Sequence, residues 1–336
     1  MPRQLTLAIF NEPTSWSLDE AHVGWLADRA PDDVEVVAVT SRDELLSALP
    51  STDYLVGFPL TSDLGKHYLD RLRWVQLVGS GGESLAPVRT LVANGVRVTS
   101  ASSIRNATTA EQAIALLLAM TRNLKFAITA QQEHRWTTDD IAPTITDLAG
   151  ATVGIVELDA LGAEIALRLA PFGVDLLATA EGDVDERVQH IATSIMPTNR
   201  TDELLSRSEI IIVANPSPAN KPLLTRSDLA QLQPGSLLID VSLSGVIRHD
   251  DLVWALERRT LGAAGLDVFE HEPLPPESAL WSMPNVIITP HCAAVSPHYW
   301  DRACEIIATN LDRIEQEQPM IDEITSRWAN PGVAAH

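Results

Sequence analysis

Residues 152–180 read TVGIVELDALGAEIALRLAPFGVDLLATA, and this stretch decides the fold. The apolar run Val153, Ile155, Val156 predicts a strand, Ile165, Leu167, Leu169 and Ala170 recur at helical spacing across 160–172, and Gly173 precedes a second apolar run. Strand, turn, helix, strand is a βαβ unit. Its dinucleotide-binding form carries GxGxxG in the turn. The first glycine makes the tight bend, the second lets backbone approach a pyrophosphate, and the third lets helix and strand pack. Here those positions hold Glu157, Asp159 and Gly162. The packing glycine is kept, and carboxylates stand where the two phosphate glycines belong.

Working outward, 336 residues with 45% hydrophobic and 21% charged content suit two globular domains, each able to bury a core. The formal charge of −21 repels nucleic-acid backbones and anionic lipid surfaces alike, so neither nucleic acid nor membrane is expected as a partner. The longest apolar run, Ala113 to Met120, is far short of a bilayer span. Arg3 leads straight into the strand-like Leu5–Phe10 without a signal-peptide layout, and a cytoplasmic protein is expected. Cys292 and Cys304 are the two cysteines and show no metal-ligand spacing, so no metal is expected.

Up to about residue 100, short β-rich runs (Leu5–Phe10, Val34–Thr40, Tyr54–Phe58, Trp74–Val78, Val96–Thr99) alternate with helical segments, which implies a parallel sheet covered on both faces. Ser41 and Glu44 form a capping-box pattern. The strand end at Val78 runs into Gly79, Ser80, Gly81 and Gly82, whose backbone N–H groups could meet an anion as well as form a plain turn. A long helix is expected over Ser103–Leu124, then a polar arm from Gln131 to Asp147 carrying Trp136. Further strands are expected at Glu209–Ala214, Leu237–Val241, Ala263–Phe269 and Val286–Thr289. A last helix is expected from Ser296, with Pro297 at its first position.

Three segments carry a family likeness: Val153-Gly154-Ile155-Val156, Leu266 through Pro275 (LDVFEHEPLP), and Asn285 through His291 (NVIITPH). With them and with Ala110-Glu111 on the long helix, the chain resembles the D-2-hydroxyacid dehydrogenases. The resemblance implies two Rossmann/flavodoxin-like doubly wound parallel-sheet α/β domains with an interdomain cleft: a substrate-type domain of residues 1–100 plus 292–336, and a nucleotide-binding-type domain of residues 101–291. It also implies a homodimer, for which the apolar face of the long helix and Trp136 are the expected contacts. Family chemistry uses an Arg that clamps the substrate carboxylate, a His that exchanges a proton on the 2-oxygen, and a Glu that orients the His. The matching positions are His291 and Glu272, and the Arg position falls at Leu243. Thr-Pro-His and Glu-Pro also make structural corners in which a buried His pairs with a carboxylate, and Asp267 is expected to be structural.

The departures shape the functional expectation. Losing a bidentate Arg contact costs about 2–5 kcal/mol. A carboxylate 4 Å from a pyrophosphate charge is repelled by about 4 kcal/mol at an effective dielectric of 20. The acid expected at the end of the second strand falls at Ala180, with Glu181 one place late. Arg105 could replace the missing cation. These losses predict no cofactor in the usual NAD pose and a non-redox acid/base enzyme, of isomerase, lyase or cyclase type, using His291 and Glu272 on a small oxo, enol or carboxylate compound. The alternatives are an NAD(P)-dependent 2-hydroxyacid oxidoreductase with non-standard cofactor binding, and a non-catalytic ligand sensor or dimer partner.

Overall fold

The computed structural model describes residues 2–10, 18–57, 70–78, 85–182, 184–214, 222–242 and 246–324. The chain divides into two compact units, one of Met1–Arg105 with Ser296–His336, the other of Asn106–Val295.

In the first unit β1 (Arg3–Ala8), β2 (Val34–Ala38), β3 (Tyr54–Gly57), β4 (Trp74–Leu77) and β5 (Arg97–Thr99) form a wholly parallel sheet in the order β2-β1-β3-β4-β5. Side chains alternate across it. Leu5, Leu7, Tyr54, Val56 and Trp74 enter one core, and Ala8, Leu55, Val75 and Leu77 enter the other. The first core is closed by the helix Tyr299–Glu315, whose Ala303, Cys304, Ile307, Leu311 and Ile314 recur at three- and four-residue spacing. That helix starts later than the sequence suggests. His298 N donates to Ser296 Oγ at 3.1 Å, so Ser296 and Pro297 belong to a turn ahead of it. At Ser41 the expected cap forms in a modified way: Ser41 Oγ accepts from Glu44 N, and the Glu44 carboxylate reaches one residue further back, to Thr40 N at 2.8 Å.

The second unit holds a seven-stranded parallel sheet: β6 (Thr152–Val156), β7 (Asp175–Ala180), β8 (Ser194–Pro197), β9 (Ile210–Val213), β10 (Leu237–Asp240), β11 (Ala263–Leu266) and β12 (Val286–Ile288). Their order is β12-β11-β10-β9-β6-β7-β8, so the winding reverses between β6 and β9, and such a reversal opens a ligand crevice beyond the carboxyl ends of its strands. Alternation sends Val153, Ile155, Ile210, Ile212 and Ile239 to one core and Val156, Ile211, Val213 and Leu238 to the other. Packing behind the turn is tight. A Cβ on Gly154 would lie 2.3 Å from Ser208 Oγ, and one on Gly162 would lie 3.3 Å from both Ile155 and Leu158 side chains.

The long helix is Ser102–Thr121, shorter than the expected 103–124. Asn123 takes φ 47° and starts a second helix, Leu124–Gln132, bent by 67° from the first. The expected arm is therefore helical at its start. Trp136 follows at 95% exposure. Ala110, Ala113, Leu116 and Leu117 face the second unit's core. Among the described residues no single helix is long and apolar enough to cross a membrane, and no group of His, Cys, Asp and Glu is arranged to hold a metal.

Candidate functional site

The turn after β6 is built by three residues. Glu157 takes φ 61°, the left-handed conformation that favours glycine, and its N–H donates to Thr179 Oγ1 of β7 at 2.9 Å. Asp159 is the N-cap of the helix Ala160–Leu169, and its carboxylate accepts from Gly162 N at 2.9 Å. Gly162 lets this helix pack against β6. The bend, the helix N-terminus and the close packing of a dinucleotide turn thus all survive, with Glu157 supplying the left-handed residue. Burial pushes the Asp159 carboxyl up from the usual aspartate range, against the N–H groups of Leu161 and Gly162 that favour its charged form. Ala180 closes β7 partly buried, and Glu181 beyond it is exposed.

A second cluster gathers at the same carboxyl end of this sheet, where β10, β11 and β12 end. His291 Nδ1 lies 2.6 Å from Glu272 Oε2, and Glu272 Oε1 accepts from Phe269 N at 2.8 Å. Both side chains are partly exposed. Beneath them the buried Asp267 ties the His291 loop down. Its carboxylate accepts from Thr289 Oγ1 at 2.5 Å, Cys292 N at 3.0 Å and Ala293 N at 2.9 Å, while its carbonyl accepts from His291 N at 2.9 Å. His291 is held at φ 50°. Gln112 of the long helix adds a donor to Thr289 Oγ1 at 3.2 Å.

Sequence reasoning passed over Asp240. It ends β10, is buried, and accepts from Ser242 N at 3.1 Å and Ser242 Oγ at 2.6 Å. Burial, with Asp267 and Glu272 adding their charge, raises its pKa to about 7. The signal available was an acid closing the apolar run Leu237-Leu238-Ile239. Of the other expected site residues, Ser80, Gly81, Gly82 and Leu243 lie outside the described residues, and Arg105 is partly buried in the first turns of the long helix.

Comparison with known proteins gives this geometry its context. Residues 114–293 match the profile described as D-isomer specific 2-hydroxyacid dehydrogenase, NAD binding domain. The chain is 31% identical over 285 residues to D-3-phosphoglycerate dehydrogenase of Mycobacterium tuberculosis, covering 83% of this chain and 53% of that protein. The chain therefore spans about half the length of the curated phosphoglycerate dehydrogenases it matches. It is 30% identical over 272 residues to human glyoxylate reductase/hydroxypyruvate reductase, covering 79% of this chain and 82% of that one. A D-isomer specific 2-hydroxyacid dehydrogenase from Xanthobacter autotrophicus Py2, solved in complex with NADPH and MES, superposes with a TM-score of 0.79 at 25% identity, over 98% of this chain and 100% of that one.

Two expectations are corrected by these findings. The non-redox acid/base enzyme is overturned, because the relatives are reductases and dehydrogenases. The expected absence of a cofactor in the usual NAD pose is overturned, because the matched profile is an NAD-binding domain and the Xanthobacter structure holds NADPH. The electrostatic argument failed for a physical reason: it treated Glu157 and Asp159 as two charges aimed at a phosphate. In the structure Asp159 turns back onto its own helix, where its carboxylate accepts from Gly162 N, and Glu157 preserves the backbone path. The chain belongs to the D-isomer-specific 2-hydroxyacid dehydrogenase family.

Proposed function

We propose that this protein is an NAD(P)-dependent oxidoreductase that interconverts a small 2-oxo acid and its D-2-hydroxy acid. The observation that carries the reading is the 2.6 Å pair of His291 and Glu272, placed beyond the carboxyl ends of the same parallel sheet as the βαβ turn. In this reading the residues of the turn after β6, together with the N-terminus of the Ala160–Leu169 helix, hold the pyrophosphate. When bound, the nicotinamide supplies or removes the hydride at C2 of the substrate.

His291 gives the balancing proton to the 2-oxygen during reduction and takes it back during oxidation. Glu272 engages Nδ1, so the exchange runs through Nε2. The Glu272 charge stabilises the imidazolium, and the Asp267 anchor keeps the ring in place. In this reading Leu243 at the family's Arg position makes this a divergent member. The test is turnover of NADH and NADPH with a panel of 2-oxo acids that includes glyoxylate and hydroxypyruvate. Oxidation of either cofactor supports the reading, and none with any acid rejects it.

We also propose that the protein acts in the cytoplasm as a homodimer; the long helix's apolar Ala110, Ala113, Leu116 and Leu117, expected at that contact, are taken up by the core of its own unit, so the interface is assigned to Trp136 with the exposed Leu124 and Ile128 of the following helix. The high exposure of these apolar side chains supports a specific contact despite the acidic net charge. Sedimentation of the native protein should give a dimer, and Trp136→Ala should weaken it.

A further inference from the structure

The oxidoreductase reading makes no use of the Asp159 carboxyl, which occupies the donors on which that reading depends. Its side chain accepts from Gly162 N and meets Leu161 N, both among the first-turn N–H groups that a helix N-terminus presents to an anion. Carboxylate and ligand are both anions and compete for the same first-turn donors. As an ion Asp159 repels the ligand; as a neutral acid it does not, and its hold on the N–H weakens. Burial, which raises this group, eases its protonation when a second anion arrives.

The charged neighbours leave Asp159 as the natural proton acceptor. Glu157 stands two residues away on the same turn, and Glu181 is exposed beyond the end of β7. Further along the helix Glu164 is tied to Arg168 at 2.5 Å and to Arg187 of the Glu186–Gln189 helix at 3.6 Å, and Arg187 is itself held by Asp185. β6 brings no ionisable side chain. Asp159 is the acid whose carboxylate caps the helix that would meet the phosphates.

We propose that dinucleotide binding at this turn is proton-linked: Asp159 takes up a proton as the pyrophosphate displaces its carboxylate from the first-turn N–H groups it caps, so affinity falls as pH rises. The proposal rests on the NAD(P) reading of the site. It gives the chain a pH-dependent cofactor affinity that a turn with glycine at this position would lack.

The experiment is NADH binding by calorimetry from about pH 6 to pH 9, a range in which the ligand itself has no titrating group, in buffers of different ionisation enthalpy. The expected result is net proton uptake on NADH binding and an affinity that falls as pH rises. Asp159→Asn keeps a capping acceptor without the charge and should bind more tightly with no pH dependence; Asp159→Gly should do the same if the Asn variant folds poorly. Glu157→Gln should change affinity while leaving the proton count intact. A wild-type affinity independent of pH, or an unchanged proton count in the Asp159 variants, overturns the proposal while the cofactor reading stands. Failure of NADH and NADPH to bind wild type and both Asp159 variants at any pH overturns both.

Discussion

Nδ1 of His291 lies 2.6 Å from Oε2 of Glu272, whose other oxygen is fixed by Phe269 N, so the carboxylate is anchored on its own loop while it orients the ring. His291→Ala should therefore lower kcat/KM for 2-oxo acid reduction by roughly 10²- to 10⁴-fold with little change in cofactor affinity. Glu272→Gln keeps an acceptor for Phe269 N but turns an amide towards Nδ1, which disfavours the productive tautomer; kcat should drop by a similar order with KM less affected. Steady-state kinetics checks both, and two variants at wild-type rates would remove the pair from the mechanism.

Asp267 is buried and receives two backbone N–H groups and one hydroxyl from the 289–293 loop. Asp267→Ala leaves those donors without a partner in a protein interior and should cost about 2–5 kcal/mol of unfolding free energy. Urea denaturation measures it. Asp267→Asn, which retains one acceptor oxygen, should lie between.

Asp240 makes the stability of the fold depend on pH. Its folded pKa is raised, from an ordinary 3.8 to about 7. A raised acid stabilises fully below the unfolded value and loses that contribution as pH rises through the folded one. The change spans pH 4 to 7 and is worth about 4 kcal/mol. Asp240→Asn keeps an acceptor for Ser242 N and Oγ and cannot ionise. The variant should gain stability over wild type at pH 8 and gain little at pH 4, as read from denaturation midpoints at the two pH values.

Gly154 carries the packing behind the cofactor turn. In Gly154→Ala the new methyl would lie 2.3 Å from Ser208 Oγ and 2.7 Å from a Leu204 methyl, and the hydroxyl is committed to Leu204 O at 2.7 Å. Displacing them should destabilise the protein by about 1–3 kcal/mol. A melting temperature equal to wild type would show that β6 and the Thr201–Arg207 helix sit further apart.

How legible was this in the sequence? The β6 unit was readable because its apolar alternation, its helical spacing and Gly173 agree at every level. β8 escaped notice because Ser194–Pro197 has four residues, ends in proline and lies at the sheet edge with little buried surface. The Leu124–Gln132 helix was read as part of an arm at its end because Gln131 and Gln132 are polar; what decides it is the left-handed Asn123, a conformation that composition does not announce. The pairing of His291 with Glu272 was readable from residue type and motif. The direction of Asp159 was not, since a sequence shows that an acid is there and not whether it faces a ligand or caps its own helix. Asp240 was invisible for a related reason: its behaviour comes from complete burial beside two other acids, which only the folded chain brings together.

The redox claim is tested most directly by following a hydrogen. The protein is incubated with a 2-oxo acid and NADH or NADPH deuterated at the transferable position, and the product is analysed for label and chirality. The account predicts a D-2-hydroxy acid carrying deuterium at C2, formed in step with oxidised cofactor and lost in His291→Ala. Product without deuterium, or a rearranged substrate with the cofactor still reduced, would contradict it.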